Sequence, residues 1–142
     1  MIYPRTAPYG AFALRVTSGA FFIAHAGLKA FVFTPAGTAK FFESVGVPGP
    51  LAYAAIAAET IGGLALLLGV YTRAAAVVLG LVLLAAIFSV HIHNGFFFNA
   101  PNGGWEYPAF WLVALVAQSL IGEGAFALRP SAPNLRAAPA QA

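Results

Sequence analysis

Apolar residues run along this chain in four long stretches, roughly 11–33, 51–70, 74–94 and 107–121, with polar and turn-forming residues gathered between them. The first three hold about 20 residues or more, enough at 1.5 Å per residue to cross about 30 Å of hydrocarbon. The fourth is shorter, but Trp105, Tyr107 and Trp111 supply the aromatic belt that favours a membrane interface. A segment in lipid must satisfy its own backbone hydrogen bonds, so all four are predicted as helices. The breaks are well marked: TPAGTAKFFESVGVPGP at 34–50 is read as a connection, YTR at 71–73 as a tight turn, GFFFNAPNGG at 95–104 as a loop, and GEG at 122–124 as the stop of the last helix. Residues 1–10 and the Pro/Ala-rich tail 130–142 are expected to be flexible ends.

Composition supports the membrane reading. The 142 residues are 61% hydrophobic and 8% charged, whereas a soluble domain carries roughly 25% charged residues. So few charges cannot cover a water-facing surface. One domain fits the length, and there is no cysteine to supply a disulfide, a thiolate nucleophile or an iron–sulfur ligand. The net charge of +3 comes without a basic run, which gives no reason to expect nucleic acid. Arg5, Arg73, Arg129 and Arg136, with Arg15 leaning the same way, fall on one side of the predicted topology, opposite Lys40. The positive-inside rule then predicts both termini in the cytoplasm of a bacterial-type inner membrane. His25 and Lys29 interrupt the first span, which makes it a poor signal-peptide core and a retained helix. The expected fold is all-α: a bundle of four transmembrane helices, both termini inside, with short loops. Small residues in AAIAAETIGG, 54–63, let the helices approach closely.

Polar groups inside these spans are the candidate chemistry. On the first helix Arg15, Ser18, Phe22, His25 and Lys29 recur at steps of three and four and so share one narrow stripe. An ionisable group at the bilayer centre costs about 3 kcal/mol even on lenient insertion scales, so the stripe is expected to face the bundle interior. Glu59, near the middle of the second span on the small face with Ala52, Ala55, Gly62 and Gly63, must pair with a cation or keep its proton. By depth, His25 is its nearest match, with Lys29 towards the outer end and Arg15 towards the inner. His91 and Asn94 lie three apart on one face, with His93 turned away, and Glu106 opens the last helix. These groups are expected to line a pocket in the outer half of the bundle, floored by Glu59.

Structural readings stand beside the functional ones. Arg15 and Arg73 can be anchors that snorkel to headgroups. His91 and His93 can be interfacial helix-end residues, Glu106 a first-turn acid favoured by the helix dipole, and Lys29–Glu59 a tie between two helices. The Phe and Trp residues at the ends fit an aromatic belt better than a stacking platform. A haem held by His25 and His91, or a zinc or copper ion held by His91, His93 and Glu106, is disfavoured, because a lysine sits one turn from His25 and the other two histidines diverge.

The motifs HAGLKAF, AETIGGLALLLGVYTR, VHIHNGFF, GGWEY and GEGAFAL, in this order between about 15 and about 129, resemble the DoxX family of small four-helix membrane proteins. The family's recurring positions fall on Arg15, His25, Gly27, Lys29, Glu59, Gly62, Gly63, Gly69, Arg73, His91, Asn94, Gly95 and Glu106; Ala26 departs from a direct His–Gly step. The resemblance implies membrane redox assemblies, including relatives in a thiosulfate:quinone oxidoreductase. The expected function is therefore a subunit of a quinone-linked membrane oxidoreductase, with His25 and Glu59 catalytic and Lys29, His91, Asn94, Glu106 and Arg15 binding substrate. It would hold no covalent cofactor and no metal, take a quinone as its small molecule, and sit in the bilayer with a redox protein partner or a second copy. The alternative is a non-catalytic scaffold or small-solute carrier whose buried charges are structural.

Overall fold

The computed structural model describes residues 3–130, so the expected flexible tail and Arg136 lie almost wholly outside the described residues. Helix α1, Ala7–Gly27, begins earlier than its apolar edge suggests. Pro8 sits in its first turn, where a missing N–H breaks no hydrogen bond. It continues through a wider π-turn, Leu28–Val32, giving one 26-residue apolar helix, Ala7–Val32. Helix α3, Leu51–Leu68, and the composite of α4, Thr72–Ala86, with its extension to Asn94 are also long and apolar enough to cross a membrane. That extension is a second π-turn, Ile87–His91, and a 3₁₀ turn, Ile92–Asn94. Helix α5, Glu106–Ile121, is apolar but has 16 residues, about 24 Å of rise.

The connection 34–50 is the main departure from the sequence reading. It contains a ten-residue helix, α2, Pro35–Ser44, with Pro35 opening it and Thr34 Oγ1 accepting from the Gly37 N–H. Turn residues marked the ends of this segment correctly and concealed the short helix between them. Among the described residues there is no strand, only an isolated bridge between Val70 and Arg129.

The long helices alternate in direction, so one end of the bundle gathers Arg5, Arg15, Arg73 and Arg129, and the other gathers Lys29, Lys40, His91 and Glu106. The core is Phe22 from α1, Leu66 from α3, Leu79 and Leu83 from α4, and Trp111 and Leu115 from α5. The opposite faces carry Phe21, Ile61, Leu81, Phe110 and Leu120, all more than half exposed, as a lipid-facing surface requires. In lipid, apolar burial adds little to helix association, so close packing must hold the helices together. It is close where α1 crosses α3: a Cβ on Gly19 would lie 2.8 Å from the Gly63 carbonyl oxygen and 3.0 Å from the Leu67 backbone. Gly19→Ala is therefore expected to push the helices apart and cost about 1–3 kcal/mol. Gly10→Ala, whose Cβ meets nothing within 4 Å, is expected to stabilise by about 0.5–1 kcal/mol through helix propensity. Melting curves of the two variants in one detergent check these opposite signs.

Candidate functional site

The polar stripe of α1 splits between the two ends of the bundle. At the histidine end, Lys29 Nζ donates to both oxygens of Glu59, at 2.9 and 2.8 Å. The Lys29 side chain is 20% exposed and that of Glu59 is 6% exposed, so the pair is enclosed. Side chains on a helix lean towards its N-terminus. Because α1 and α3 run in opposite directions, Lys29 leans inward while Glu59 leans outward, and the two meet. This corrects the depth match: Glu59 bonds to Lys29, whose long stem spans the gap, and not to His25.

Several contacts hold Lys29 in place. Its carbonyl lies in the π-turn and accepts from Thr38 Oγ1 at 3.1 Å, a hydroxyl shared with Thr34 O at 2.9 Å. Thr38 is buried, so α2 acts as a brace behind the lysine. Thr34 makes the junction in a left-handed conformation, φ 62°, unusual for a β-branched residue. The second π-turn ends on His91, so both widened turns lie at this end; such turns recur at functional sites.

His25 lies one turn deeper than Lys29 and is half-buried. Its ring is 5.4 Å from that of Trp111, and it lies within electrostatic reach of Lys29 and His91. Its contacts are with rings and charges rather than hydrogen-bonding groups among the described residues. Trp111 is buried against Phe22, ring centroids 4.2 Å apart, and meets Phe21 edge-on at 5.9 Å. Its indole Nε1 is buried and finds no acceptor among the described residues. The sequence reading placed Trp111 in the interfacial belt; only its tertiary neighbours bring it to the site.

His91 and Asn94 do share a face, as their spacing predicts. His91 Nδ1 bonds Gly103 O at 2.9 Å, and Asn94 Nδ2 donates to the same oxygen at 3.2 Å. A carbonyl only accepts, so Nδ1 carries the proton and a neutral His91 presents its Nε2 lone pair. The Tyr107 hydroxyl, 3.4 Å away, can donate to it. His93 is exposed, as expected. Glu106 is turned to other work: its carboxylate accepts from the Phe98 N–H at 3.0 Å and folds the 95–104 loop back over the start of α5.

Arg15 does not join this group. It sits at the opposite end and is fully buried, which excludes the snorkelling reading. Its Nε donates to Glu123 O at 2.9 Å, Nη1 to Leu66 O at 2.6 Å and Leu67 O at 2.8 Å, and Nη2 to Ala125 O at 3.1 Å. These carbonyls end α3 and form the segment after α5, so Arg15 seals the arginine end. Gly69, φ 67°, turns the chain beside it, and a Cβ there would strike Arg15 Nη1 and Ala127. Arg73, in contrast, is exposed and donates to Ser119 O at 3.0 Å. Two more buried atoms lack partners among the described residues, Thr72 Oγ1 and Gln118 Oε1, both at this sealed end.

Apolar spanning helices around an enclosed lysine–glutamate pair define a multi-pass membrane protein of the lipid bilayer. Its family follows from comparison with known proteins: the DoxX family profile matches residues 10–92, and the chain belongs to the DoxX family. The matched region carries Lys29, Glu59, His25 and His91 and ends before α5. A Bacillus subtilis (strain 168) protein named "Putative oxidoreductase CatD" is 36% identical over 121 residues, covering 85% of each chain. No solved structure matches.

Proposed function

We propose that this protein is a membrane subunit of a quinone-linked oxidoreductase assembly, embedded in a bacterial inner membrane with its arginine end in the cytoplasm and α5 as its fourth span. The observation that carries the reading is the Lys29–Glu59 pair at 2.8 Å, enclosed with His25 one helical turn from Lys29 and within its electrostatic reach. An ion pair that only tied helices together would need no such neighbour. An oxygen-bearing head group fits both. Lysine has three N–H donors, and two suffice for Glu59, which leaves one for an acceptor oxygen. His25 carries ring nitrogens that can give or take a proton. A quinone supplies two-electron, two-proton acceptor chemistry when bound, and the protein's part is to hold its oxygen, exclude water and manage the accompanying protons. The oxidoreductase name of the Bacillus relative points the same way. Electrons would come from a redox protein partner.

The scaffold is the rival to test, and the double variant Lys29→Met/Glu59→Gln separates the two. Removing both charges leaves neither stranded, so a redox subunit keeps its membrane level. It is expected to lose affinity for decyl-benzoquinone by about tenfold or more, measured by titration in mild detergent. A scaffold would show no difference in quinone affinity between the wild type and the double variant. Failure of the wild type to bind the quinone would overturn the proposal.

A further inference from the structure

Trp111 carries a buried hydrogen-bond donor without an acceptor among the described residues. The residue is 9% exposed, and the donor is its indole Nε1. An indole nitrogen can only donate, and in a lipid-embedded core an unmade hydrogen bond is not repaid by solvent. Ring contacts to Phe21 and Phe22 account for a large aromatic side chain here but not for its stranded N–H. The indole ring lies 5.4 Å from that of His25, on the seam between α1 and α5, and His25 is one helical turn of α1 from Lys29.

We propose that Trp111 is a substrate-contact residue whose indole N–H donates to an acceptor oxygen of the bound ligand, alongside Lys29 and His25. Two of these three groups only donate, so the site selects a ligand with a carbonyl or anionic oxygen over an oxygen-free hydrocarbon of the same shape. This inference rests on the quinone-linked reading and adds to it the group that fixes the head. It gives α5, which lies beyond the matched family region, a direct part in recognition.

The chain has two tryptophans, so ¹⁵N-labelled protein in detergent shows two indole N–H resonances, and Trp105→Phe leaves the one from Trp111. Adding decyl-benzoquinone is expected to move that resonance downfield, while decylbenzene, with the same tail and no oxygen, leaves it in place. Trp111→Phe is expected to bind the quinone about tenfold more weakly. The Trp105→Phe spectrum needs no substitution at Trp111, so the test survives if Trp111→Phe misfolds. Quinone binding with a silent Trp111 resonance, or an equal shift with decylbenzene, overturns this inference and leaves the broader reading standing. Absence of quinone binding overturns both.

Discussion

Arg15→Met is expected to remove most of the folded protein from the membrane. The guanidinium holds the carbonyls of Leu66, Leu67, Glu123 and Ala125 at 2.6–3.1 Å, and methionine can bond none of them. Hydrogen bonds to a charged donor contribute about 1.5–3 kcal/mol each, though losses in one network do not simply add. A total of about 3–5 kcal/mol is reasonable for breaking such a buried network, a large part of a typical domain's stability. Lysine keeps the charge but lacks the planar fork, so Arg15→Lys is expected to recover less than half of the loss. The segment after α5 should loosen first. Limited proteolysis at 122–129 and melting in detergent would report this, and a native-like melt for Arg15→Met would show that the clamp is idle.

The second large effect concerns the lysine–glutamate pair. Lys29→Met alone strands a carboxylate that is 6% exposed, and Glu59→Gln alone strands an ammonium. Each single change is expected to cost about 3–5 kcal/mol, because the partner left behind is buried and unpaired. The double variant strands nothing and is expected to recover most of that loss. The coupling between the sites should therefore be large, about 5 kcal/mol or more in a double-mutant cycle, since two losses of about 3–5 kcal/mol are both largely cancelled in the double variant. Unfolding of the four proteins in one detergent measures it. Additive losses would mean that the two groups act separately despite their 2.8 Å approach. The same cycle explains why the double variant suits the quinone titration: stability and binding then move independently.

Sequence pattern and tertiary structure each supplied a distinct part of the site. The pairing of a cation from α1 with Glu59 was legible, because a carboxylate in mid-span has few tolerable fates. The identity of the cation was not, since depth along two helices ignores the lean and reach of side chains. Arg15 shared a stripe with His25 and Lys29, yet helical spacing cannot say that 14 residues, about 21 Å of rise, separate Arg15 from Lys29 into different environments. Glu106 looked like a pocket acid, whereas its loop claims it through Phe98. Trp111 looked like a belt residue because tryptophan usually is one in such a position.

The sequence alone determined that this chain lives in lipid as apolar helices, and that its intramembrane charges must find partners, because hydrocarbon gives ions and open backbone no alternative. Which partners they find was decided only in three dimensions. The crossing at Gly19 and Gly63 sets how α1 lies on α3, and the brace from Thr38 sets where Lys29 stands. Those contacts join residues far apart in the chain, and distance along a helix carries no information about them.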